Sequence, residues 1–342
     1  MIETEVQTET PTATYRPEGA KNLKQIRKPI DGHLKEFKRF YRDAIQSNVF
    51  LLDQIVRYLL KLKGKELRPT LVFMAARLMG QVNRRSYIAA TMIELLHTAT
   101  LIHDDVVDES DQRRGFLSIN KLWNNKAGVL LGDFLLSKGL LIALEHDEFR
   151  MLKVLSKAVK SMSEGELRQL KASKLHNMTE ERYFQIISEK TASLIAACCE
   201  CGALSVTDDH DIHKKMHQIG MNIGIAFQIR DDLFDYGMDD VGKPRRNDIK
   251  ESKVTLPLIK ALNNAGRSDV RKIRSLMKKG KKSRKQINRI VDFVKEYNGM
   301  DEAKAEMEQY AEKAYLLLDE LPASADKDGF ADLIHFVITR TK

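Results

Sequence analysis

The chain has 342 residues, of which 43% are hydrophobic, enough to bury a large core as one domain or two. Its 18 glycines and seven prolines are few, β-branched alternation is scarce, and Leu, Ala, Lys and Glu recur in long stretches, which excludes a sheet-based fold and predicts an all-α protein. The net charge of +9 calls for an anionic partner, and no apolar run reaches the roughly 18 residues of a membrane span.

Residues 1–20 are polar and Thr-rich, lack a signal-peptide core, and predict a disordered tail. Residues 21–342 predict a single helical domain without a Pro/Gly/Ser linker. Its helices are expected over 21–45, 47–62, 68–80, 84–104, 120–143, 148–172, 178–204, 209–236, 252–264, 267–279, 284–297, 301–320 and 328–339. No fixed-period repeat is present, which argues against a solenoid.

GKELRP at 64–69 places Lys65 and Arg68 at a helix start. The helix over 84–104 closes on Asp104, Asp105 and Asp108, and the helix over 209–236 closes on Asp231, Asp232 and Asp235, so a DDxxD cluster is written twice. Residues three and four apart share a helix face. The carboxylates gather at the helix end whose dipole is already negative. At 4 Å, like charges repel by roughly 4 kcal/mol at an effective dielectric of about 20. Each cluster therefore calls for a cation. Six carboxylates without paired His or Cys favour a hard ion, and Mg2+ fits best, because it takes one or two carboxylates, keeps waters and completes its shell with substrate phosphates. Calcium would want a dedicated loop, and zinc imidazole or thiolate.

Cations lie around the acids: Arg113 and Arg114 after the first cluster, Lys243 and Lys253 after the second, and Lys190 beside Thr191 between them. With Lys65 and Arg68 they describe a pocket for polyanions bridged by metals. No Walker loop or GxGxxG is present, so a nucleotide is not indicated. The basic run at 278–285 reads as a solvated turn, and nucleic-acid binding would need aromatic platforms or a recognised motif that the chain lacks. Cys198, Cys199 and Cys201, with His210, His213 and His217 downstream, read as core packing in preference to a zinc site. Reduced thiols fit a cytoplasmic protein.

GKELRP, LLHTATLIHDDVVDESDQRRG, VLLGDFLLSKG, EKTASL and FQIRDDLFDYGMDDVGKP…KVTLP agree in order and spacing with one family. The chain resembles the trans-type polyprenyl diphosphate synthases, in particular long-chain members such as octaprenyl and solanesyl diphosphate synthases. The resemblance implies a single-domain isoprenoid-synthase-type helical bundle around a deep central cavity, acting as a homodimer. It implies that Asp104, Asp105, Asp108, Asp231, Asp232 and Asp235 hold magnesium ions on opposite walls. Arg113, Lys190, Thr191, Gln228, Lys243 and Lys253 would contact an allylic diphosphate, and Lys65, Arg68, His97 and Arg114 isopentenyl diphosphate. Asp248 and Arg340 are weaker transfers. The chain departs from the pattern at Glu66, where a second Arg is usual, and at Arg246 and Ser252, where Gly is frequent.

The expected reaction ionises the allylic diphosphate, adds the alkene of isopentenyl diphosphate to the cation, and needs no protein nucleophile. The prenyl tail should grow back along the helix that ends at Asp104. Small Ala99 and Thr100, one turn deeper, predict a long product in the quinone side-chain range, with Leu95, Leu96 and Met92 beyond and Phe73 or Phe134 as the floor. Transient contact with a membrane surface for product release is a further expectation. Competing readings are a shorter-chain geranylgeranyl or farnesyl diphosphate synthase, a non-catalytic partner of another synthase chain, a nucleic-acid binder, and an HD-type metal phosphohydrolase built on His103 and Asp104.

Overall fold

The computed structural model describes residues 16, 17, 19, 21–61, 64–113, 116–175, 178–237, 246–278 and 280–341, with backbone only at Arg113, 173–175 and 247. The tail over 1–15 lies outside the described residues. The described residues are mainly helical, with one two-stranded antiparallel hairpin among them, β1 (Gln112–Arg113) and β2 (Phe116–Leu117), just after the first acidic cluster.

Several predicted helices are subdivided. The first becomes α1 (Leu23–Arg27), a 3-10 turn (Lys28–Ile30) and α2 (Asp31–Ala44), because Pro29 has no amide hydrogen to donate. The fifth becomes α6 (Ile119–Trp123) and α7 (Asn125–Glu145), separated by Asn124 at φ 83, whose side chain caps the amide of Ala127. Between these groups run α3 (Phe50–Lys61), α4 (Leu67–Met79) and α5 (Arg84–Val107). Asn83 and Ser86 close a capping box at the start of α5. Its far end continues past Asp104 and Asp105, leaving Asp108 as the C-cap.

After α8 (Phe149–Leu175), the long helix expected over 178–204 is α9 (Glu180–Ile187), a π turn (Ser188–Ala192) and α10 (Ser193–Leu204). Helix α10 is apolar on almost every side and sits at the centre, packed against α4, α8 and α11 (His210–Tyr236). The close fit depends on glycine. A Cβ on Gly224 would stand 2.4 Å from the Cα of Ala192, and one on Gly220 2.6 Å from the Cα of Ala196. The three cysteines are wholly buried here as free thiols, and burial pushes the Cys198 thiol up to about 12. Beyond α11 come α12 (Asn247–Lys250), α13 (Leu256–Asn264), α14 (Arg267–Met277), α15 (Arg284–Glu296), α16 (Gly299–Asp319) and α17 (Ala325–Thr339).

Helix α7 bears on the reading that no apolar run reaches the length of a membrane span. Asp133 and Lys138 interrupt its apolar run, yet the whole helix has the length and composition of a span. Only a third of that stretch is buried within the chain, and Leu130, Leu140, Leu141 and Leu144 stand at least half exposed. A mixed burial of this kind is weak evidence for a membrane.

Candidate active site

The second acidic cluster is the more enclosed. Asp231, Asp232 and Asp235 end α11, and each is held differently. Asp232 is buried, accepting hydrogen bonds from the Tyr183 hydroxyl (2.6 Å) and Gln228 Nε2 (2.9 Å). Gln228 Oε1 in turn accepts from the Thr191 hydroxyl at 2.9 Å. A continuous chain of hydrogen bonds thus ties α9, the π turn and α11 together. Burial pushes the Asp232 carboxyl up to about 7 despite its two donors. Burial and the Asp232 charge push the Tyr183 phenol well above its ordinary value, which keeps it a donor.

Asp235 turns away from this chain and accepts the backbone amide of Asp248 at 2.6 Å. Asp248 is itself pushed up to about 6, by burial and then by the charge of Asp235. Asp231 pairs with Arg340 at 2.7 Å. The Arg340 guanidinium lies 4.0 Å from the centre of the Phe227 ring, and Arg230 holds the carbonyl of Arg340 at 2.7 Å. The C-terminal segment is thereby fixed against the cluster.

The π turn places Lys190 and Thr191 on one side of a cavity of about 130 Å³ that they share with Gln228, Asp232, Asp248 and Lys253. Such turns insert one residue into a helix and recur at functional sites. Helix α8 braces it closely: a Cβ on Gly165 would lie 2.9 Å from the Lys190 amide nitrogen. Lys190 reaches Gln169 Oε1 at 3.4 Å and pairs with Glu166. Lys253 pairs with Glu251 at 2.8 Å. Burial alone would lower its ammonium, but Glu251, Asp248 and Asp108 together raise it.

At the first cluster Asp105 is buried, Asp104 half-buried and Asp108 exposed. Asp105 lines a second cavity, of about 450 Å³, with His97, Glu94, Glu66 and Lys38. Glu66 pairs with Lys38 at 3.0 Å. Arg27 braces the GKELRP segment by donating to the Lys65 carbonyl and, at 2.7 Å, to the Thr70 hydroxyl. Lys65 is exposed and Arg68 half-buried at the start of α4. Ala99 is wholly buried, whereas Thr100, one turn before Asp104, keeps some exposure and donates to the His97 carbonyl at 2.9 Å. Met92 and Leu95 are buried beyond them. Phe73 sits in an aromatic group with His33, Phe37 and Tyr87, and Phe134 lies under Lys138.

Arg114, Lys243 and Arg245 lie outside the described residues, as does the Arg113 side chain. His103 faces α7, 3.3 Å from the Val129 carbonyl and 3.6 Å from Asp133. That placement offers the HD reading no histidine cluster. Glu66, Arg246 and Ser252 have φ of 47, 53 and 64, in the left-handed region that glycine occupies without strain. The backbone here gives a physical reason for glycine at 246 and 252. Sequence reasoning missed Tyr183, Glu166 and Gln169. Tyr183 had a readable signal, since it lies seven residues, two turns, before Lys190. The acid and amide on α8 had none.

Among the described residues, no three His, Cys, Asp or Glu side chains converge enough to cage an ion by themselves. The donors nevertheless fit a hard divalent ion that brings phosphate oxygens with it, because the carboxylates are oxygen donors without paired thiolate or imidazole, and Asp232 shares its cavity with Lys190 and Lys253.

An all-helical bundle with two acidic helix ends, and lysines between them, defines an isoprenoid-synthase-type enzyme acting on diphosphates. Comparison makes the class specific. The Polyprenyl synthetase family profile matches residues 49–294. The octaprenyl diphosphate synthase of Escherichia coli (strain K12) is 32% identical over 302 residues, 88% of this chain and 93% of that protein. A polyprenyl synthase from Caulobacter crescentus CB15, solved with calcium and isoprenyl diphosphate, superposes with a TM-score of 0.87 at 31% identity, over 95% of this chain and 100% of that one. A geranylgeranyl pyrophosphate synthase from Bacteroides thetaiotaomicron is 37% identical with a TM-score of 0.78, over 92% and 98%. The chain belongs to the polyprenyl synthetase family and is a trans-prenyltransferase of isoprenoid biosynthesis. Membership implies isopentenyl diphosphate and an allylic diphosphate as its substrates.

Proposed function

We propose that the enzyme condenses isopentenyl diphosphate with farnesyl or geranylgeranyl diphosphate to a long all-trans polyprenyl diphosphate, of quinone side-chain length, with magnesium. The observation that carries the site assignment is the hydrogen-bond chain Thr191–Gln228–Asp232–Tyr183 beside Lys190 and Lys253. Magnesium bound by Asp104, Asp105, Asp108, Asp231 and Asp232 would supply the charge that makes diphosphate a good leaving group. Asp235 would add a sixth carboxylate to these magnesium ligands, while it also accepts the Asp248 amide at the start of α12.

Lys190, Lys253 and Arg113, with Lys243, would hold the allylic diphosphate oxygens by charge-assisted hydrogen bonds. Thr191 and Gln228 orient that diphosphate against Asp232. Lys65, Arg68, His97 and Arg114 would hold isopentenyl diphosphate. The apolar surroundings of α5 and α10 keep water from the allylic cation.

Small Ala99 and Thr100 support the long product. The relative named as an octaprenyl diphosphate synthase supports the same length, and the geranylgeranyl pyrophosphate synthase neighbour supports the shorter alternative. The exposed leucines of α7 support a homodimer through that helix. Phe50, Val107 and Phe116, all exposed, support transient membrane contact as a long product leaves. The buried free thiols support a cytoplasmic location.

The test incubates the protein with farnesyl diphosphate, labelled isopentenyl diphosphate and magnesium, then sizes the products. Chains longer than geranylgeranyl are expected, and none without a divalent ion. Ala99→Phe should shorten them, and unchanged length would refute the role of Ala99.

A further inference from the structure

A broad groove lies outside the catalytic cavity. It has a volume of about 950 Å³ and runs between α8 and α11, with α10 beneath it. It shares no lining residue with the cavity of Lys190 and Asp232. Val154, Ala158, Ala197, Leu204 and Met221 give it an apolar floor. Arg150, Lys153, Lys157 and Lys214 stand along it. From Arg150 to Ser161 it follows α8 for about 16 Å.

The charge balance favours an anion. Arg150 is engaged by Asp208 at 2.9 Å, and Lys214 by Asp211 at 3.0 Å. The groove's two acids are also engaged, Glu189 by Arg168 at 3.0 Å and Glu200 by His217 at 2.7 Å. Lys153 and Lys157 carry no ion pair among the described residues. Arg150 is fixed in place. The buried His213 donates from Nε2 to the Thr207 carbonyl at 2.9 Å, so its Nδ1 accepts from Arg150 at 3.1 Å. An elongated apolar floor flanked by unneutralised lysines suits an apolar chain with a phosphate head.

We propose that this groove is a second binding site, for an anionic amphiphile: a phosphate or diphosphate on an apolar chain. The site communicates with the catalytic cavity through the π turn. Ser188 and Glu189 face the groove, whereas Lys190 and Thr191, the next two residues, face the cavity. An occupant that moves Glu189 moves the backbone that positions Lys190.

Dodecyl phosphate serves as the probe, titrated calorimetrically into the full chain in magnesium-free buffer, with inorganic phosphate and dodecanol as the separate head and tail. Two variants accompany the wild type, the charge reversal K153E/K157E and Val154→Asp on the half-buried floor, each checked for helical content and Tm. The expected result is saturable binding of dodecyl phosphate that Lys190→Ala leaves intact and both groove variants weaken at least tenfold. Equal affinity in wild type and both variants would overturn the site. Inorganic phosphate binding as tightly as dodecyl phosphate would overturn the amphiphile assignment, and so would dodecanol doing so. In steady-state assays, dodecyl phosphate should change the KM for the allylic substrate at least threefold more in wild type than in K153E/K157E. The same KM response in both would overturn the coupling.

Discussion

The two acidic clusters share one motif and stand in different surroundings. The first ends α5 with Asp108 exposed at the C-cap, followed by a short hairpin and α6. The second ends α11 under α9, α12 and the C-terminal segment, and each of its carboxylates has a named partner: Arg340 for Asp231, Tyr183 and Gln228 for Asp232, and the Asp248 amide for Asp235. The motif specifies spacing on a helix, and tertiary cover decides how much each carboxylate costs to ionise. The second cluster is therefore tied to α9, α12 and the C-terminal segment, whereas the first buries Asp105 and leaves Asp108 in solvent.

The largest expected effect tests whether both walls serve the same reaction. Asp104→Ala and Asp231→Ala should each lower kcat by about 10²–10³-fold, the scale of losing an electrostatic stabiliser of the transition state. Product formation under saturating substrates and magnesium measures this. Full activity in either variant would show that its wall is dispensable.

Next comes the protonation of the enclosed wall. The folded Asp232 carboxyl lies at about 7, above its ordinary 3.8. Between those values the folded state binds more protons than the unfolded one, so the metal-free protein should gain stability as the pH falls from 7 towards 4. The contribution is on the order of a few kcal/mol. Asp232→Asn should be more stable than wild type at pH 8 and lose that advantage by pH 5. Parallel stability–pH curves from denaturant unfolding would remove the asymmetry between the walls.

A smaller effect separates the clusters by stability alone. Asp231→Ala strands the buried Arg340 guanidinium and should cost about 1–2 kcal/mol, reduced from the full value for a buried pair because Asp231 is itself partly exposed. Asp108→Ala, at an exposed site, should leave Tm within about a degree of wild type. Equal losses would mean that the first cluster is as tightly held as the second.

The smallest concerns the loop beside the second cluster. Ser252 holds φ 64, and Ser252→Gly should raise stability by up to about 1 kcal/mol, offset in part by glycine's greater freedom when unfolded. A loss would mean that the hydrogen bond from Lys282 outweighs the backbone strain.

Periodicity and composition determined the helical class, most helix positions and the two acidic ends, because these depend on residues a turn apart. Lys190 and Thr191 were legible beside them as charge and hydroxyl in a short motif. The break at Ser188–Ala192 was not legible, because SEKTASL carries no helix-breaking residue and the π turn lies where α8 and α11 approach it closely, at Gly165 and Gly224. Tyr183, Glu166 and Gln169 join the site only because α8 and α9 pack against that turn. The three cysteines and nearby histidines, close in sequence, part company in space: the thiols enter the core, while the imidazoles line an outer groove. Local pattern settles which face a residue takes. Which faces meet, and so which carboxylates are buried or open, depends on contacts between distant segments that only the packed chain brings together.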